Sequence, residues 1–108
     1  MIFVVGGACS GKSAYVKEKY EGYRIIDDYY KCVASQIEAG EDAAALAQHL
    51  DVEGDTVVIS REMGCGVVPI EASDRLLREV NGRVNCILAG RADKVIRMVC
   101  GQPCVIKG

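Results

Sequence analysis

No apolar stretch approaches the roughly 20 residues that cross a bilayer, which excludes a membrane-spanning helix and leaves no membrane partner to expect. Net charge is also scarce, −2 overall. That argues against a nucleic-acid surface, which needs a clustered excess of lysine and arginine. Histidine occurs once, at His49, and the six cysteines contain no Cys-x-x-Cys pair, so zinc-ligand spacing is absent. Met1-Ile2-Phe3-Val4-Val5 lacks the basic start and cleavage site of a secretory signal, and a cytoplasmic location is expected. In that reducing setting Cys9, Cys32, Cys65, Cys86, Cys100 and Cys104 are expected as thiols packed like small hydrophobes, not as three disulfides. Repeats, linkers and low-complexity segments are missing as well, and 108 residues predict a single domain over 1–108. A chain half hydrophobic and a quarter charged can build a core, and its partner is expected to be a small molecule.

What is present alternates between apolar runs and helix-forming segments. Ile2 to Val5 ends in Gly-Gly, as a buried parallel strand feeding a tight turn would. After Lys12-Ser13 the residues to about Tyr20 read as a helix, closed by Gly22. Tyr23 to Asp27 reads as a second strand ending in two acids. Tyr29–Gln36 and Asp42–His49 have helical composition, separated at Gly40. Thr56 to Ser60 is a third strand that runs into the glycine-rich segment 61–66. From Ser73 or Asp74 as N-cap, Leu76, Leu77, Val80, Val84, Ile87 and Leu88 fall on one helical stripe. Gly82 within that helix hints at close packing. Val95–Cys100 and Cys104–Lys107 read as a hairpin with its turn at Gly101-Gln102-Pro103. The alternation predicts an α/β fold, a mostly parallel sheet covered on both faces, with the C-terminal hairpin adding an antiparallel edge.

The segment Gly6-Gly7-Ala8-Cys9-Ser10-Gly11-Lys12-Ser13 has the spacing Gly-x-x-x-x-Gly-Lys-Ser between a strand and a helix, the context of a P-loop. In such a loop the backbone amides of Gly7 to Ser13 wrap a β-phosphate at the positive end of the helix dipole. Gly6 and Gly11 permit backbone angles that a side chain obstructs. Lys12 reaches the β- and γ-phosphates, and the Ser13 hydroxyl ligates Mg²⁺. The expected cofactors are therefore ATP or GTP with Mg²⁺.

Asp27 and Asp28 end the second strand, where open α/β sheets place ligands. One of them can hold the hydration shell of Mg²⁺, while Asp28 can equally cap the helix starting at Tyr29. Glu62 follows the third strand in the same way and could touch magnesium, a ribose or an acceptor hydroxyl. His49 reads as a helix-end surface residue. Tyr29 and Tyr30 read as one core and one surface tyrosine, with base or corrin stacking as the alternative.

Three stretches resemble the adenosylcobinamide kinase/adenosylcobinamide-phosphate guanylyltransferase family of cobalamin biosynthesis. Residues 2–13 resemble its P-loop, with Cys9 where the family usually has arginine. Residues 57–69, with Arg61-Glu62-Met63-Gly64-Cys65-Gly66-Val67-Val68-Pro69, resemble a strand followed by Asn-Glu-Val-Gly, one residue and Gly-Ile-Val-Pro; Arg61 departs from that asparagine. Residues 75–85 are similar to Arg-x-Phe-Arg-Asp-x-x-Gly-Arg-x-Asn, and Ala92-Asp93-Lys94-Val95 and the final Val-Ile-Lys continue the match. Ile25-Ile26-Asp27 matches the family strand that ends in an acid.

The resemblance implies a three-layer, RecA-like P-loop NTPase sheet. It also implies phosphoryl transfer from ATP or GTP to the aminopropanol hydroxyl of adenosylcobinamide, the small-molecule corrinoid substrate. Lys12, Asp27 and Glu62 would be the catalytic residues and Ser13 and Asp27 the magnesium residues. Family members associate as symmetric oligomers, which implies a homo-oligomer. The family segment bearing the histidine that takes up GMP has no counterpart between Tyr20 and Arg24, and His49 lies downstream of Asp27, so that nucleophile role is not carried over to His49 and the guanylyl step stays open. A non-catalytic nucleotide-binding regulator or partner derived from the family is the alternative, and a P-loop kinase with another small acceptor is a third.

Overall fold

Ile2–Gly6 forms strand β1, whose side chains are buried on both sides because both sheet faces are covered. The computed structural model describes residues 1–7, 11–62 and 72–108, and for 72–74 the backbone alone. After β1 come α1 (Lys12–Lys19), β2 (Arg24–Ile26), α2 (Tyr29–Glu38), α3 (Ala43–Gln48), β3 (Thr56–Arg61), α4 (Ala72–Arg91), β4 (Lys94–Val99) and β5 (Gln102–Lys107). The five strands form one sheet in the order β2-β3-β1-β4-β5. All neighbours are parallel except β4 and β5. Among the described residues the result is a mixed α/β fold of four helices and a five-stranded sheet, with the expected hairpin at one edge.

Alternation along the strands divides the core in two. Phe3, Val5, Val58 and Val95 face α2, α3 and α4, meeting Tyr29, Val33, Ala43, Ala47, Val84 and Leu88. Val4, Val57, Ile59, Ile96 and Met98 face the other way and meet Val16 of α1, with Tyr20 at the margin. The helices are thus split one against three across the sheet.

Local chemistry sets the ends of the elements. Asp42 caps α3, its carboxylate accepting from the Ala45 amide at 3.2 Å. Arg91, in the last turn of α4, donates to the Ala47 and Leu50 carbonyls at 2.7 and 2.8 Å and so binds the end of α3 to α4. Lys107 reaches from β5 to the Ala89 carbonyl at 3.2 Å, placing a cation at the C-terminal end of the α4 dipole.

Several expectations change. Helix α4 already includes Ala72, so Ser73 and Asp74 lie inside it and are not its caps; small polar residues suit a first turn as well as a cap position. Gly82 is exposed, and a Cβ there would meet nothing within 4 Å among the described residues, so the expected close packing is not found there. Leu76, assigned to the apolar stripe, is 48% exposed. The hairpin turn falls on Cys100 and Gly101, both at positive φ, while Gln102 and Pro103 belong to β5. Cys32, Cys86, Cys100 and Cys104 are free thiols as expected, yet all four are exposed, because each falls outside the two apolar clusters. Cys9 and Cys65 lie outside the described residues. No helix among the described residues is long and apolar enough to cross a membrane.

Candidate functional site

The chain leaves β1 for α1 on one face of the sheet and leaves β3 for α4 on the other, although β1 and β3 are neighbours. A crevice opens beyond the carboxyl ends of the strands wherever connections diverge in this way. Here it has a volume of about 530 Å³ and is lined by Lys12, Ser13, Asp27, Asp28, Lys31, Ile59 and Arg61. The first turn of α1, the ends of β2 and β3 and the start of α2 each contribute.

Lys12 Nζ donates to the Gly7 carbonyl at 2.8 Å, folding the lysine back over the start of the loop it follows. Gly11, before α1, has φ +82°, a left-handed conformation that L side chains adopt only with strain. Gly6, by contrast, is ordinary strand, in register with Arg61 and Met98. Ala8, Cys9 and Ser10 lie outside the described residues. The Ser13 hydroxyl donates to Asp27, 3.0 Å from one carboxylate oxygen and 3.2 Å from the other. A hydroxyl beside a carboxylate is a hard-oxygen pair of the kind Mg²⁺ takes while keeping several waters. Among the described residues no three His, Cys, Asp or Glu side chains gather as a metal cage, and a magnesium that is bound mainly through phosphates and water does not require one.

Asp28 occupies the N-cap position of α2 but does not cap it with its side chain. The backbone is left-handed, with φ 55° and ψ 57°, and the carboxylate turns to Arg61, accepting from Nε at 3.1 Å and Nη2 at 2.7 Å. Lys31 stands 3.6 Å from the same carboxylate. The Arg61 guanidinium also lies over the Tyr30 ring, 4.8 Å from its centre. Tyr29 is buried, as the core half of that reading expects, whereas Tyr30 is half-buried beneath the guanidinium.

Glu62 does not line the crevice. Its amide donates to the Gly6 carbonyl at 3.0 Å, and its carboxylate pairs with Arg97 Nε of β4 at 3.0 Å. His49 is the exposed C-cap of α3, away from this crevice. The structure therefore brings Lys12, Ser13 and Asp27 together and leaves the Glu62 side chain outside the crevice, engaged by Arg97 of β4.

Sequence reasoning missed Arg61, Lys31, Arg97 and the two asparagines of α4. Asn81 Nδ2 and Asn85 Nδ2 both donate to the Arg61 carbonyl, at 2.9 and 3.0 Å. A four-residue spacing of amides on one helix face was the available signal.

The fold and the crevice define a mixed α/β protein with a cation-rich pocket at a strand-order switch. A family model described as cobinamide kinase / cobinamide phosphate guanyltransferase, CobU, matches residues 19–106, and the chain belongs to that family. The Gly6–Ser13 motif precedes the matched residues, and its reading rests on its own spacing and flanks. No curated protein matches the chain.

Proposed function

We propose that the protein is a P-loop kinase of the RecA-like type, one domain over 1–108, that phosphorylates the aminopropanol hydroxyl of adenosylcobinamide with ATP or GTP. The observation that carries this reading is the meeting of Lys12, Ser13 and Asp27 in one crevice, in a chain of the cobinamide kinase family. The strand order supports it too, because β3 lies between β1 and the acid-ending β2.

In this reading residues 6–13 cradle the phosphates, and Lys12 exchanges the Gly7 carbonyl for the β- and γ-phosphate oxygens. Ser13 and Asp27 hold Mg²⁺, which when bound neutralises charge on the transferring group. The acceptor oxygen bonds to the γ-phosphorus as the bond to the β,γ-bridging oxygen breaks and the nucleoside diphosphate leaves. The hydroxyl proton passes to a carboxylate. Asp27 lines the crevice directly, whereas Glu62 would first have to release Arg97. Catalysis is then mostly positioning and electrostatics, with no covalent protein intermediate.

A second reading, a nucleotide-binding regulator or partner without turnover, is favoured by the short Tyr20–Tyr23 turn, closed by a 3.1 Å hydrogen bond where the family carries its histidine segment. Calorimetric titration with non-hydrolysable ATP and GTP analogues plus Mg²⁺, with and without adenosylcobinamide, separates the two. Binding that Lys12→Ala abolishes and the corrinoid strengthens is expected of the kinase. Lys12-dependent binding indifferent to the corrinoid supports the regulator, and absence of any binding rejects both.

A further inference from the structure

Arg61 follows Ser60, a fully buried strand residue, and projects at the rim of the crevice. Its head is fixed by two hydrogen bonds that it donates to Asp28 and by the Tyr30 ring beneath it. The backbone that carries it is fixed from the other side, since Asn81 and Asn85 both donate to its carbonyl. Asp28 holds a left-handed backbone that non-glycine residues adopt only with strain, and its side chain forgoes the ordinary cap of α2. Strain and a forgone cap are tolerated where another interaction compensates, and here the compensation is the placement of one guanidinium.

The charges in the crevice indicate what that guanidinium is for. Lys12, Lys31 and Arg61 face Asp27 and Asp28. Asp27 is engaged by Ser13, and Asp28 is shared between Arg61 and Lys31. Three cations against two carboxylates leave the lining with an excess of positive charge, which favours an anionic ligand. A guanidinium carries five N–H donors, so one held on a carboxylate through two of its nitrogens can still contact a phosphate.

We propose that Arg61, positioned by Asp28 and Tyr30, contacts the γ-phosphate and is the residue by which this protein distinguishes a nucleoside triphosphate from a diphosphate. This rests on the P-loop reading given above. Asp28 acts through Arg61 and is a positioning residue.

The test measures dissociation constants for ADP, GDP and the non-hydrolysable triphosphate analogues with Mg²⁺, for the unmodified protein and for Arg61→Gln, Arg61→Lys, Asp28→Asn and Lys12→Ala, with folding of each checked by circular dichroism. Loss of a charge-assisted contact weakens triphosphate binding by on the order of 10- to 100-fold in Arg61→Gln, while diphosphate binding changes by less than about twofold. Asp28→Asn lowers the triphosphate preference partway, and Arg61→Lys restores part of it. Equal loss for both nucleotides, or an unchanged preference, overturns the proposal. If Arg61→Gln does not fold, an unchanged preference in both Arg61→Lys and Asp28→Asn overturns it equally. Diphosphate binding that depends on Lys12 tests the P-loop by itself, so its absence in the unmodified protein rejects the underlying reading, whereas its presence without an Arg61 effect rejects this proposal alone.

Discussion

Asn81 is a buried side chain, 1% exposed, in the middle of α4. Its amide nitrogen serves the Arg61 carbonyl, while its own Oδ1, like Ser60 Oγ and Asn85 Oδ1, has no hydrogen-bond partner among the described residues. A polar residue at such a position is tolerated because it satisfies a strand-end carbonyl that the sheet leaves over. Asn81→Ala is expected to destabilise the protein by about 1–3 kcal/mol, measured by urea unfolding, since it removes a buried hydrogen bond and leaves a void. A change smaller than about 0.5 kcal/mol would show that Asn85 alone secures the carbonyl. Such contacts were illegible in the sequence for a simple reason. Lys12, Ser13 and Asp27 were found because a loop motif and a strand end fix their positions locally. Arg61 and Asp28 are 33 residues apart, and only the pairing of β2 with β3 makes them neighbours.

Among the elements, the strands were the easiest to read and the helix boundaries the hardest. Apolar runs such as Ile2–Val5 and Thr56–Ser60 carry their burial in composition, while α4 hides its start among residues that suit either cap or first turn. Equal hydrophobicity nevertheless does not mean equal burial. Ile96 of β4 is fully buried, whereas Ile106 of β5 is 62% exposed, and nothing in the short sequence Val-Ile-Lys distinguishes an edge from an interior. All six residues of β5 are exposed because neither helical layer extends over that edge. Ile96→Ala should therefore cost about 2–4 kcal/mol in a denaturant melt, and Ile106→Ala about 0.5 kcal/mol or less. Similar costs for the two would mean that β5 is covered in solution. Pro103, which has no amide hydrogen, and the Lys107 charge both make this edge a poorer template for another strand.

At the scale of the molecule, stability against pH follows from the buried tyrosines. Burial raises the Tyr29 hydroxyl above the ordinary tyrosine value, and burial followed by the neighbouring Tyr15 does the same for Tyr20. The folded state keeps these protons to higher pH than the unfolded chain does. Their contribution is complete below the unfolded tyrosine pKa of about 10 and is lost as pH rises through the folded values. Thermal melting between pH 8 and 11 should fall on the alkaline side, and Tyr29→Phe should flatten that fall; parallel curves for the two proteins would refute the assignment. The overall class, an alternating α/β sheet with a terminal hairpin, was legible from period and order alone. The split of one helix against three was not, since periodicity gives a helix an apolar face without saying which side of a sheet it covers.

The central strand also dictates a timetable. Ile2 is in register with Val57 on one side and Lys94 on the other. The strand at the middle of the sheet is thus the first in chain order, and its second neighbour comes near the end. During synthesis β1 must wait, unpaired on one side, until β4 has been made. Closing such distant pairings is slow, and an apolar strand left waiting is the part of this molecule most in need of a chaperone's protection.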